Sequence, residues 1–241
     1  MMEKLFHCDA ITLLKKIKKD FISFTYIDPP YNTGRRQQIA KSGTGYVDKY
    51  DDYLQFLEPI CREIHRVQKP NAVLCVHLDH REVHYAKVML DSVFGRDRFL
   101  GEIIWNSELG AASRKFWPMK HTTILMYSKS EPKFNENEVP IVPKSPPTAG
   151  DKRLSSVWYY TLSNTAKERV DYPNQKPEWL LRNLIKVHTD PGDIVLDVFA
   201  GSGTTAKVAK DLNRGFITCD RNVESIEVCE SRLNTKRLVL L

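Results

Sequence analysis

The chain has 241 residues, with 36 lysines and arginines against 30 aspartates and glutamates, a formal net charge of +6. That length accommodates one large α/β domain with a sizeable core and a small insert. No apolar stretch is long enough to span a bilayer, and Met1–Phe6 lacks the apolar centre of a secretion signal, so neither a spanning helix nor a secretory leader is expected.

In chain order, Lys4–Cys8 reads as a short strand, followed by a helix with Ile11, Leu14 and Ile17 on one face. Ile22–Ile27 is a continuous apolar run, the pattern of a strand buried on both faces. It ends in Asp28-Pro29-Pro30-Tyr31. The first proline biases Asp28 toward extended backbone, the two together stiffen the segment, and both remove backbone donors. A stiff, acceptor-rich lip beside an aromatic ring suits a flat ligand that carries an NH2 group. Residues 32–50 contain Gly34, Gly43 and Gly45 and no clean period, so they read as a mobile loop. Asp51–Val67 is an amphipathic helix, Ala72–Leu78 a buried strand, and Asp79 the expected cap of a helix reaching Phe94. Glu102–Trp105 and Thr122–Tyr127 read as two further strands.

Residues 129–171 are proline-rich and aperiodic, an expected insert between a core of residues 1–128 and 172–241. The regular pattern then returns: helix Glu178–His188, strand Ile194–Phe199, helix Thr204–Leu212, strand Phe216–Cys219 and helix Val223–Leu233. Alternating strands and helices predict a mainly parallel sheet covered on both faces. The charge is uneven. Residues 32–50 and 107–174 each carry a net of +3, so the rest is neutral overall, and both segments lie outside the regular pattern, where a polyanion can be faced. The five cysteines form no CxxC pair and read as free thiols in a reducing compartment; no metal site is expected.

A second motif follows strand Val195–Phe199. Ala200-Gly-Ser-Gly-Thr-Thr-Ala206 gives Gly-x-Gly-x-x-Ala between a strand and a helix, the context of a nucleotide-binding turn. The next strand ends in Asp220, 19 residues after Gly201, where an acid can accept both hydroxyls of a ribose. Capping of the following helix is a bland role for Asp220, and a satisfied buried acid is the bland role for Asp197.

The two motifs together resemble the amino-group DNA methyltransferases that use S-adenosylmethionine. Asp28–Tyr31 matches their catalytic motif and Phe199–Gly203 their cofactor motif. The order, catalytic before cofactor, is similar to the permuted beta class. His7-Cys-Asp9, Asn174-Gln-Lys-Pro177 and Val195-Leu-Asp-Val-Phe199 also match, with departures at Cys8, which stands where the family's Gly-Asp segment has glycine, and at Val198. The resemblance implies a Rossmann-like, circularly permuted fold with a small inserted recognition region. It implies that S-adenosyl-L-methionine is held by Asp9, Asp28, Gln175, Lys176, Phe199, Ala200, Gly201, Ser202, Gly203, Thr204, Thr205 and Asp220. It also implies that Asp28, Pro29, Pro30 and Tyr31 act on an amine of a base rotated out of double-stranded DNA. Adenine N6 is the expected target because the motif begins with Asp; N4 of cytosine is the alternative. An RNA methyltransferase, a nicotinamide-dependent oxidoreductase and a non-catalytic DNA-binding partner rank behind these. Arg35, Arg36, Lys41, Arg114, Lys115, Lys152 and Arg153 are the candidates for DNA contact. Trp117, Trp158, Tyr159 and Tyr160 read as a small core of the insert rather than as base-stacking rings. A homodimer, a cognate restriction endonuclease and a bacterial or phage cytoplasmic setting complete what the resemblance implies.

Overall fold

The protein is described by a computed structural model covering residues 1–38, 45–106, 115–143, 150–162, 166–170 and 172–239. Eight strands form the central sheet. Their order is β1 (Glu3–His7), β12 (Gly215–Asp220), β11 (Ile194–Asp197), β2 (Ile22–Ile27), β5 (Gln68–Leu78), β7 (His121–Ser128), β6 (Phe99–Asn106) and β10 (Val157–Tyr159). All neighbouring pairs are parallel except β5 with β7 and β6 with β7. Parallel neighbours need crossovers, and six helices supply or flank them: α1 (Ala10–Lys16), α2 (Tyr53–Val67), α3 (Val83–Phe94), α4 (Glu178–His188), α5 (Thr204–Asp211) and α6 (Val223–Leu233).

Alternation along the buried strands separates two apolar layers. Ile22, Leu74, Val76, Leu196 and Ile217 face α1, α2 and α3. Phe24, Tyr26, Val73, Cys75, Val195 and Phe216 face α4, α5 and α6. Both layers are sealed, which accounts for the six consecutive buried residues of β2.

Three elements differ from the sequence reading. Within the stretch expected as a loop, β3 (Arg35–Gln38) pairs antiparallel with β4 (Gly45–Asp48); strands of four residues carry too little alternation to be read as such. Asp79 does not cap α3. Its carboxylate accepts the Arg81 N–H at 2.9 Å and its carbonyl the Val83 N–H at 3.1 Å, and the helix begins four residues later. Within the expected insert, β10 adds to the main sheet, and Trp158 is 6 % exposed within the α4–α6 layer, edge-on to Trp179 at 5.4 Å. It belongs to the main core rather than to a separate one. A second hairpin, β8 (Ile141–Pro143) with β9 (Asp151–Arg153), lies outside the sheet.

Trp158→Ala removes a large buried ring from this layer, and a loss of about 3–5 kcal/mol is expected in denaturant unfolding. Tyr159→Ala, one residue on and 70 % exposed, should stay within about 0.5 kcal/mol of the parent chain.

Candidate active site

Parallel pairing brings the C-terminal ends of β1, β12, β11 and β2 to one rim. His7 aligns with Asp220 and Asp197 with Thr218, while β2 runs straight into Asp28. Helices α1, α2, α4 and α5 present their first turns to the same rim. Between them lies a cavity of about 440 Å³. Asp9, Asp28, Asp197 and Asp220 all line it, with Phe56, Tyr172, Phe199 and Thr204 among the other walls.

The catalytic-motif lip is held from two directions. Behind it, the buried Asp48 carboxylate accepts the Asn32 N–H at 2.8 Å, the Thr33 N–H at 3.1 Å and the Thr33 hydroxyl at 2.7 Å. Asn32 takes the left-handed φ of 55° that this turn needs, and its amide donates to Glu82 at 2.7 Å. In front, the Tyr31 hydroxyl donates to Asp28 Oδ1 at 2.5 Å, and Lys176 pairs with Oδ2. Burial, and then the Asp28 charge, push the Tyr31 phenol well above its ordinary value, so it stays a donor. Beneath the lip, the Tyr26 hydroxyl and His77 Nδ1 lie 2.6 Å apart, and His77 Nε2 meets the Thr122 hydroxyl at 2.6 Å. Burial, helped by Lys176, holds His77 well below its usual pKa and therefore neutral.

The glycine loop is equally constrained. Asp220 Oδ2 accepts the Gly201 N–H and Oδ1 the Asn222 N–H, both at 2.9 Å. A carboxylate has about four acceptor positions, so capacity remains for hydroxyls of a ligand. Gly203 adopts φ 74°, and a Cβ there would sit 2.9 Å from the Cys229 sulfur. Thr204 Oγ1 donates to the Lys176 carbonyl at 3.2 Å and accepts from Arg232 at 2.9 Å; Arg232 also pairs with Glu178 at 2.8 Å. The loop is thereby tied to the segment that carries Lys176. Phe199 meets Phe56 edge-to-face at 6.1 Å, and Tyr50 stacks on Phe56 at 4.4 Å, making an aromatic wall.

Most of the residues expected to hold a cofactor converge on this cavity: Asp9, Asp28, Lys176, Phe199, Ala200, Gly201, Ser202, Thr204, Thr205 and Asp220 line it. Asp9 is also the cap of α1, accepting the Thr12 N–H at 2.9 Å. Gly203 packs behind the loop against Cys229, and Pro29 is buried behind Asp28 and Pro30. Gln175 does not reach the cavity wall. Its amide is spent on the Val170 N–H and the Glu168 carbonyl, both at 2.8 Å, bracing the preceding loop.

The expected DNA contacts divide by rim. Arg35 and Arg36 are exposed on β3, immediately after the motif. Lys115 lies on the exposed stretch that enters β7 opposite Asn106, at the same rim. Lys152 and Arg153 do not join them. Arg153 pairs with Glu136, while nearby Glu138 pairs with Lys186 toward the end of α4, where β11 starts. That is the opposite rim, about 20 Å from Asp28 for six strand residues. Lys41 and Arg114 lie outside the described residues. Sequence reasoning passed over Asp48, Tyr172 and Arg232. The lone acid in the basic stretch 32–50 is the signal that could have found Asp48.

The donor set fits S-adenosylmethionine. Four acids, Asp9, Asp28, Asp197 and Asp220, and two cations, Lys176 and Arg221, line the cavity, a mixed wall that suits a ligand carrying both a sulfonium and a carboxylate. The aromatic wall suits a flat ring, and Asp220 suits vicinal hydroxyls. Among the described residues no cluster of His, Cys, Asp and Glu could hold a metal ion, and no helix is long and apolar enough to cross a membrane.

The family profile described as DNA methylase matches residues 22–231. The type II methyltransferase M.HpaI of Haemophilus parainfluenzae is 31% identical over 242 residues, covering 98% of this chain and 76% of that protein. The DNA adenine methyltransferase YhdJ of Escherichia coli strain K12 is 29% identical over 250 residues, covering 95% and 82%. Among solved structures, the PvuII DNA methyltransferase, described as cytosine-N4-specific, has a TM-score of 0.74 at 18% identity, covering 98% of this chain and 87% of its own. An M1.HpyAVI–SAM complex has a TM-score of 0.69 at 24% identity, covering 97% and 100%.

Two outcomes follow from the geometry. Gly203→Ala forces a Cβ into left-handed backbone and against Cys229, so a loss of about 1–3 kcal/mol is expected in thermal unfolding. Adding Cys229→Ala should recover only the steric part. The second outcome concerns Asp197. Burial pushes its carboxyl up to about 7, against the hydrogen bonds from Thr205 and the Phe199 N–H, and Asp28 and Asp220 add to the rise. The folded chain then keeps a proton that an unfolded aspartate, near 3.9, releases. This contribution to stability is complete below about pH 4 and is lost as pH rises to about 7, by on the order of a few kcal/mol. Asp197→Asn should reduce that slope in denaturant midpoints taken from pH 5 to 8. Asp220, raised in the same direction by burial, should leave a residual slope.

Proposed function

The chain belongs to the N6/N4 DNA methylase family, and we propose that it transfers a methyl group from S-adenosylmethionine to N6 of an adenine rotated out of duplex DNA. The observation that carries this reading is the Asp28 carboxylate. It is held by two donors at the mouth of a cavity walled by carboxylates and aromatic rings. A nicotinamide-dependent oxidoreductase would leave the Asp28–Tyr31 lip without a role, which argues against that reading.

Bound in the cavity, S-adenosylmethionine supplies an activated methyl on a sulfonium sulfur. Asp220 and the Gly201–Thr205 turn would hold its sugar and methionine ends, and Phe199 its adenine side. The chain's own work falls on the base. An exocyclic amine is a poor nucleophile because its lone pair is delocalised into the ring. Asp28 and the Pro29 carbonyl would accept its two N–H groups and localise that pair on nitrogen. Tyr31, stiffened by the prolines and by Asp48, would carry the ring. The proton that the amine nitrogen loses has the Asp28 carboxylate as its adjacent acceptor. Fixing donor and acceptor in one frame supplies much of the rate gain in such a transfer. A stacked, paired base cannot reach Asp28, so it must leave the helix. Arg35, Arg36 and Lys115 would hold the phosphates at that rim.

Adenine is favoured by the Asp that opens the motif and by the name of the YhdJ relative. Cytosine N4 is the second reading, since the PvuII enzyme of that description shares the fold. The type II designation of several relatives supports a cognate restriction endonuclease as a partner.

The test is nucleoside mass spectrometry of DNA exposed to the protein and S-adenosylmethionine. N6-methyl-2′-deoxyadenosine is expected; N4-methyl-2′-deoxycytidine alone would transfer the same mechanism to cytosine, and the absence of both would refute methylation of DNA. Asp28→Ala should lower the rate at least about 10³-fold while S-adenosylmethionine still binds in calorimetry.

A further inference from the structure

Lys176 holds an unusual place for a residue expected to flank the cofactor. Its ammonium sits on Asp28 Oδ2 and at the same time 5.4 Å from the centroid of the Tyr31 ring. Asp28 Oδ1 is taken by the Tyr31 hydroxyl at 2.5 Å. Both side chains are largely enclosed, Lys176 at 11 % exposure and Asp28 at 21 %. The ammonium thus covers the free edge of the carboxylate and one approach to the ring, which are the two places a base must use.

We propose that Lys176 is a placeholder for the amino group of the target base, occupying its seat in the free protein and leaving it when the base arrives. The inference rests on the base-methylation reading above. An ammonium and an exocyclic amine present the same features, N–H donors toward a carboxylate and a positive edge toward an aromatic ring. They cannot both occupy Oδ2 and that ring face. Stripping the ammonium away without a replacement would leave a poorly solvated anion, which is costly. Exchanging one N–H donor for another avoids that cost. The exchange therefore selects for bases with an amino group at the entering edge. A base that presents a carbonyl there would place an acceptor against an acceptor.

The mounting of Lys176 permits such a movement. Its backbone is fixed, because its carbonyl accepts the Thr204 hydroxyl at 3.2 Å and Thr204 is braced by Arg232. Only the four-carbon stem need turn. The residue already lines the cavity, which gives the stem room to turn away from the carboxylate.

The experiment uses a duplex with the mapped target site and 2-aminopurine beside the target base, whose fluorescence rises when the neighbouring base leaves the stack. Without cofactor, Lys176→Met should raise the extruded fraction at least threefold over the parent chain. Lys176→Gln, which keeps donors but drops the charge, should give a smaller rise, and Lys176→Arg none. Circular dichroism and melting curves identify the folded variants, and Gln replaces Met as the test if Met does not fold. Equal or lower extrusion in the folded uncharged variants overturns the placeholder. If instead the parent chain methylates no base and extrudes none, the methyltransferase reading itself fails, and the two failures are told apart.

Discussion

Parallel pairing of β1, β12, β11 and β2 carries the acids that follow or end those strands, Asp9, Asp220, Asp197 and Asp28, to one rim of one sheet. Everything else about the site is a response to that crowding. Like charges in a partly dry cavity repel strongly, so each carboxylate needs its own means of compensation. Asp9 is satisfied by Thr12 at the start of α1, and Asp220 by two backbone N–H groups. Asp28 takes a phenol and an ammonium. Asp197, buried and with no cation among its partners, is driven toward the protonated form instead. The four solutions differ because the exposures and neighbours differ, and the differences divide the work: Asp28 stays available to a ligand that donates, Asp220 to hydroxyls, and Asp197 stays a structural acid.

The two halves of the site come from distant parts of the chain; the pairing of β2 with β11 sets them side by side, and polar links tie their loops together. Lys176 reaches Asp28 across 148 positions in sequence. The same residue is tied by its carbonyl to Thr204, and Thr204 through Arg232 to Glu178. The lip, the glycine loop and the first turn of α4 therefore form one frame. A two-substrate transfer needs this, because small errors in the separation of donor and acceptor are costly in rate.

The hairpin β3–β4 illustrates how local and tertiary causes combine. Its strands are four residues each, β3 wholly polar and β4 Gly-Tyr-Val-Asp, too short for a hydrophobic period to announce them. What holds its base is Asp48, which ends β4 and folds back onto Asn32 and Thr33 just after the catalytic motif. The hairpin thus stands beside Asp28 and projects Arg35 and Arg36 from that rim. The opposite case is Arg153, basic and in a basic segment, whose partner Glu136 and whose place near the end of α4 put it at the far rim.

The sequence alone determined the strand and helix order of the core, because runs such as Ile22–Ile27 and the period of Asp51–Val67 are strong, local signals. It also determined the chemistry of the two motifs: prolines stiffen Asp28–Tyr31 and glycines open Gly201–Gly203 wherever the chain goes. Only the tertiary structure decided which charged and polar residues share a rim. Lys176 faces Asp28, Gln175 turns away to brace a loop, Trp158 enters the main core, and Lys152 and Arg153 lie toward the far rim. Those outcomes depend on strand order and on contacts between positions far apart in sequence, and neither is encoded in the spacing of residues along a single element.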